Sequence, residues 1–261
     1  MHLLDKSNYK NIIDLIDPSC LSLQLKTVIE NKNPGFIYVD KKTKPQSGLI
    51  YHQGEGGFFF IGKASQSFFD EVRRSLKSIS ETHLNGDLQE FEFSFDSKAW
   101  EDQIDLKDMS TCQQYIYHSQ SSELIAELDF DDIEIIGISE SSFKYENASF
   151  IESPTKSWWG DINVYLKEDL GFVALKDNKI IGRCLLDGKV GNYMGIGIAV
   201  EENYRKKSIA SALAIKMVNA IHRLGYKVYW ECTDNNYGSM ALTKKCHLKK
   251  IQAYNLYWFE V

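Results

Sequence analysis

Prolines are scarce: four in 261 residues, with no low-complexity segment and no internal repeat, which leaves no place for a proline-rich linker or a repeat array. The five cysteines, at positions 20, 112, 184, 232 and 246, form no C-x-x-C pair and no metal-ligand spacing. They are expected as reduced thiols, and no metal site is expected. No window approaches the length of a membrane span, and Met1 to Lys10 lacks the basic-then-apolar order of a signal peptide, so a cytoplasmic protein without a membrane partner is expected. Positive charge is not in excess either. The 30 Lys and Arg against 36 Asp and Glu give a net charge of −6, which argues against nucleic acid as a main partner.

What is present is an ordinary globular composition, 43% hydrophobic and 25% charged, with enough length for two cores. Residues 1–130 carry their own complement of elements. A helix is expected near Leu21 to Ile29 and another across Phe68 to Ile79. Strands are expected at Gly35 to Val39, Leu49 to His52 and Gly57 to Ile61, and where Phe91, Phe93 and Phe95 alternate. The acidic stretch Glu127 to Glu134, poor in Pro and Gly, reads as a docked junction. Residues 131–261 form the second expected domain. There, strand-like Ile133 to Ile138, helical Ser157 to Leu170, a hairpin of Gly171 to Leu175 with Lys179 to Leu186 across Asp177-Asn178, and a strand Asn192 to Val200 follow one another.

Beyond that last strand lies the most informative segment, Arg205-Lys206-Lys207-Ser208-Ile209-Ala210. It precedes a run with apolar residues at Ala210, Leu213, Ala214, Met217, Val218, Ile221 and Leu224, the spacing of a helix that buries one face. A loop of consecutive backbone N–H groups followed by a helix N-terminus suits a pyrophosphate. Lysines at 206, 207, 244, 245, 249 and 250 are either a solvated face or counter-charge for such phosphates. A strand Lys227 to Asp234, a helix capped by Asn235 or Asn236 and an aromatic strand from Ile251 complete the order.

The loop resembles the Arg/Gln-x-x-Gly-x-Gly/Ala pattern of the GNAT (GCN5-related) N-acetyltransferases, with Ser208 where that family has its first glycine. Trp230-Glu231-Cys232, Asn236-x-x-Ser239 and the upstream Gly35 to Asp40 with Pro45 further resemble the two-domain GNAT family that includes the zwittermicin A resistance acetyltransferase. The resemblance implies an α/β fold: a C-terminal GNAT fold with a central mixed sheet flanked by helices, and an N-terminal mixed α/β domain that helps form the acceptor cleft. It implies acetyl-CoA as co-substrate, bound by Ile198, Ala199, Val200, Arg205, Lys206, Lys207, Ser208, Ile209, Ala210, Asn236 and Ser239. It also implies a small polar amine as acceptor, attacking directly in a ternary complex.

The proton-transfer groups depart from the family pattern. Thr243 stands where a tyrosine acid is common, Gly195 where a strand glutamate is, and His247 where a glycine closes the helix. Glu231 is the leading candidate for the base, with His247 and Tyr257 as further acid or base candidates, and Tyr254 beside them. Ser208 either donates to phosphate or caps the helix. Two readings stay open at this point: an acetyltransferase with a re-tooled site, or a GNAT-derived CoA-binding regulatory module with little turnover.

Overall fold

The periodicities resolve into twelve strands and seven α-helices in a computed structural model describing residues 1–261. In chain order come β1 (His2–Leu3), a 3₁₀ segment Lys6–Leu15, α1 (Leu23–Ile29), β2 (Gly35–Val39), β3 (Ser47–His52), β4 (Gly57–Gly62), α2 (Gln66–His83), β5 (Glu90–Phe95), α3 (Lys98–Glu101) and β6 (Ser110–Ser119). There follow β7 (Glu134–Gly137), α4 (Ser149–Trp159), α5 (Ile162–Leu166), β8 (Gly171–Lys176), β9 (Lys179–Val190), β10 (Tyr193–Val200), α6 (Ile209–Arg223), β11 (Lys227–Thr233), α7 (Tyr237–Lys245) and β12 (Leu248–Glu260). By packing, the chain divides into two compact units, Met1–Gln114 with Ala253–Val261, and Tyr115–Gln252. Composition had pointed to a junction at residue 130. The packing division falls earlier, within β6, and the end of β12 belongs to the first unit.

In the first unit, β1 to β4 pair antiparallel in sequence, β4 runs parallel to β5, and β5 pairs antiparallel with the end of β12, Ser94 opposite Leu256. Both faces of this sheet are covered, which is why β4 reads as an unbroken apolar run. Phe58 and Phe60 point into a core shared with Phe69, Val72 and Trp100, whereas Phe59 and Ile61 join Ile12, Leu25 and Val28 on the other side.

In the second unit, β7, β8, β9 and β10 form an antiparallel meander, and β10 then runs parallel to β11. The β8–β9 hairpin turns at Asp177 and Asn178, both in the left-handed region (φ 49° and 65°), as a type I′ turn requires. The single helix expected over Ser157 to Leu170 is instead two. Gly160, at φ 76°, ends α4, and the Asp161 carboxylate then caps α5 by accepting from the Asn163 N–H at 2.6 Å. α4 also begins earlier, at Ser149, and passes through Pro154, which forgoes one helical bond to the Phe150 carbonyl.

One face of this sheet packs on α6. A side chain at Gly182 would meet Leu213 and Ile209 of that helix, and Val200 lies beside it. The other face is covered by α4 and α5. The Arg183 guanidinium stacks 5.3 Å over the Phe150 ring, and Trp159 Nε1 donates to the Leu186 carbonyl at 2.8 Å.

Candidate active site

Strand β10 is held along its whole length by β9, from Tyr193 opposite Val190 to Val200 opposite Gly182. Its pairing with β11 covers only Tyr193, Met194 and Gly195, opposite Lys227, Val228 and Tyr229. From Ile196 onward the two strands separate, so the β11-facing backbone groups of β10 are left without a strand partner. Ile198 and Ala199 lie in this opened stretch and are half-buried. Val200 lies there too, but its carbonyl accepts from Arg205 Nε at 3.3 Å.

The loop after β10 turns on two non-glycine residues in the left-handed region, Lys206 at φ 61° and Ser208 at φ 63°. Alternating backbone handedness of this kind gathers successive N–H groups into a concave nest. Arg205 N–H still bonds the Glu202 carbonyl, and Ala212 N–H bonds Ser208. The N–H groups between them, from Lys206 through Ser211, meet no backbone acceptor of the chain. Ser208 is the N-cap of α6 by position, yet its side chain makes no capping hydrogen bond. The capping role considered for it is therefore not found, because side-chain capping needs an extended backbone and Ser208 is left-handed. The Lys207 ammonium stands over the Tyr204 ring at 5.2 Å, and Lys245 of α7 donates to Ser211 Oγ at 2.9 Å. One lysine of the second cluster is thereby placed on the first turn of α6.

Four of the residues singled out in the sequence have local structural tasks. Asn236 caps α7, accepting from Ser239 N–H at 3.0 Å, and Ser239 Oγ accepts from Trp230 Nε1 at 2.7 Å. His247 is exposed, one residue beyond the C-cap of α7, and takes the left-handed conformation (φ 55°) that glycine commonly supplies there. Thr243 is fully buried and donates to the Met240 carbonyl at 2.9 Å. Tyr257 lies in the core of the first unit, stacked on Phe93, with its hydroxyl donating to Glu101 Oε1 at 3.2 Å; Tyr254 belongs to the same unit. Neither tyrosine is part of the unit that carries the loop.

Glu231 is placed differently. Gly195 is in register with Tyr229, so Tyr229 and, two residues on, Glu231 share the sheet face of Gly195 and Gly197, opposite α6. The Tyr229 hydroxyl donates to Glu231 Oε2. Across β10, the β9 register shifts by one residue between Leu186 and Gly188, a bulge at Asp187. The Asp187 carboxylate lies over Gly197, where an added Cβ would stand 2.5 Å from Oδ2 and 2.7 Å from Oδ1. Sequence reading passed over Asp187. Its only sequence signal is the glycine set at 188, 195 and 197, which strips side chains from one face of two neighbouring strands.

A GNAT acetyltransferase family profile matches residues 21–257. The chain belongs to the GNAT acetyltransferase family. Along nearly its whole length it is similar to YdfB of Bacillus subtilis (strain 168), named an uncharacterized N-acetyltransferase, at 21% identity over 98% of this chain and 97% of that one. Among solved structures it resembles a GCN5-related N-acetyltransferase-like protein from Streptococcus suis 89/1591 (TM-score 0.65, 19% identity, 98% of this chain and 100% of that one). It also resembles a GCN5-related N-acetyltransferase from Sphaerobacter thermophilus (TM-score 0.65, 12% identity, 99% and 94%). A tandem GNAT protein from the clavulanic acid biosynthesis pathway matches with TM-score 0.61 at 8% identity, over 98% and 94% of the two chains. The expected GNAT fold, with its mixed sheet and flanking helices, is borne out, as is membership of the acetyltransferase family. No helix is long and apolar enough to cross a membrane, and no group of His, Cys, Asp and Glu is arranged to hold a metal ion.

Proposed function

We propose that the protein transfers an acetyl group from acetyl-CoA to the amine of a small polar acceptor, by direct attack in a ternary complex, and that the second unit carries the donor site. One observation carries this reading: β10 parts from β11 after Gly195 and leads directly into a nest of N–H groups, Lys206 to Ser211, without acceptors of their own. The nest fits a pyrophosphate in sign and shape, and Lys245 and the N-terminus of α6 add positive potential beside it. The opened backbone at Ile198 fits an amide-bearing arm, which would add hydrogen bonds in strand fashion. When bound, acetyl-CoA supplies an acetyl group activated as a thioester.

The remaining chemistry falls to the face opposite α6. A backbone N–H of opened β10 is the donor available to the acetyl carbonyl oxygen as charge develops there, an interaction worth about 3–4 kcal/mol in acyl-transfer sites. Glu231, oriented by the Tyr229 hydroxyl, presents a carboxylate that attracts a cationic acceptor. A free-thiol release assay with acetyl-CoA and a panel of amines tests the proposal, alongside calorimetry with CoA. Thiol release that depends on an added amine supports it. CoA binding with no release across the panel would replace it by the regulatory-module reading, and absence of CoA binding would reject the donor site itself.

A further inference from the structure

The glycine-floored strip between β9 and β11 holds a carboxylate on each side, and only one of them lies directly on the strand that opens. The Asp187 carboxylate lies flat against Gly197, two residues beyond the last β10–β11 pair and next to the opened stretch Ile198 and Ala199. Glu231 stands on the far strand, its Oε2 accepting from the Tyr229 hydroxyl. We propose that Asp187 is a catalytic residue of the transfer reaction, the group that takes the proton from the acceptor amine. The inference rests on the acetyl-transfer reading above and assigns the base within it.

Three features place Asp187 for this role. The bulge puts it out of alternation with its neighbours in β9, and a bulge commonly re-aims a side chain at a functional site. Gly197 removes the side chain that would otherwise sit in the same place as the carboxylate. The Trp159 indole, bonded to the carbonyl of the preceding Leu186, fixes the bulge against α4. Several charged or titratable groups act on Asp187. Arg183 and Cys184 lie on its own strand, and Tyr165 comes from α5; β10 brings only apolar side chains and glycines after Tyr193. Burial raises the Asp187 carboxyl to about 7, with Arg183 pulling the other way, which suits a base working near neutrality.

The step balances without any further reactant. The acceptor ammonium gives one proton to an Asp187 carboxylate oxygen, and the freed nitrogen lone pair forms the C–N bond to the acetyl carbonyl carbon. The C–S bond breaks with its electron pair leaving on sulfur. The thiolate takes the second proton lost by nitrogen, leaving a neutral amide and a free thiol, and Asp187 returns its proton to solvent.

The test uses the full chain, wild type, Asp187→Asn, Asp187→Glu and Gly197→Ala, with acetyl-CoA and three probe amines, glucosamine, 1,4-diaminobutane and lysine amide. The expected result is a wild-type kcat/KM that climbs with pH through about 7, and an Asp187→Asn variant slower by roughly 10²- to 10⁴-fold that has lost this limb while binding CoA equally well. Asp187→Glu should recover part of the rate, and Gly197→Ala, whose methyl displaces the carboxylate, should resemble Asp187→Asn. A second readout needs no turnover: the Asp187 carboxyl ¹³C resonance, assigned by its loss in Asp187→Asn, should titrate to a lower midpoint when a bound probe amine stands beside it. Equal pH profiles for wild type and Asp187→Asn, or a carboxyl midpoint that no amine moves in an enzyme that acetylates that amine, overturn this inference and leave the transfer reading standing. No thiol release and no CoA binding by wild type overturn both.

Discussion

Replacing Asp187 by Asn should make the protein more stable at pH 8 and leave its stability nearly unchanged at pH 4. In the folded chain, burial raises this carboxyl from an ordinary 3.8 to about 7. Between those two values the folded state keeps a proton that the unfolded chain has already released, so stability falls as pH rises from about 4 to about 7 and is level above that. A displacement of about three pH units corresponds to about 4 kcal/mol between the protonated and ionised forms. Part of the residue remains open to solvent, which screens the charge and brings the effect nearer 2–3 kcal/mol. Asn has nearly the same shape and carries no charge, so at pH 8 it avoids that cost. For a chain of this size the gain corresponds to a rise in Tm of about 4–12 °C. Scanning calorimetry of both proteins at pH 4 and pH 8 measures it. A Tm difference that is the same at both pH values, or a variant that melts lower at pH 8, would refute the burial argument. A buried carboxyl whose ionised form destabilises the fold is what the proposed role as a base requires.

Other outcomes follow from the loop and the sheet. Ser208→Gly should add about 1 kcal/mol of stability by relieving a left-handed serine, and calorimetry should find CoA binding equal or tighter; a tenfold loss would show that the hydroxyl itself holds phosphate. Lys245→Gln should weaken CoA binding and flatten its dependence on salt, since it removes a positive charge at the first turn of α6. Glu231→Gln should raise KM for a diamine more than it lowers kcat, and the reverse pattern would move the base to Glu231. Trp159→Phe leaves the Leu186 carbonyl unpaired and should cost about 1–3 kcal/mol in urea denaturation.

Much of the second unit was legible because its elements are locally consistent. The Asp177-Asn178 turn, the apolar stripe of α6 and the alternation around Trp230 each specify one conformation over a few residues. Gly160 and Asp161 could have split the α4–α5 helix in the sequence as well, but the apolar residues on both sides masked the break. β6 went unread because Ser110 to Tyr115 is largely polar and lacks a buried alternation; only its last four residues are buried. Of the candidate site, the loop and the end of β10 were legible in the sequence. It was not legible at Asp187, whose position depends on a one-residue register shift between strands. A lone aspartate in a glycine-rich strand gives no local sign of such a shift.

The return of the chain to its first unit also has a consequence for biosynthesis. Ser94 and Leu256 are register partners, so the edge of β5 stays open while the 161 residues that separate them are made. At about 5–20 residues per second that interval lasts roughly 10–30 s. Throughout it a nascent strand bearing Phe91, Phe93 and Phe95 has no partner on that side, the kind of edge that recruits other chains. The second unit, by contrast, is complete at Gln252, before the part of β12 that pairs with β5 is made. Released chains truncated just after Gln252 should therefore hold a protected second unit and a protease-sensitive first one, an order of completion opposite to the order of synthesis.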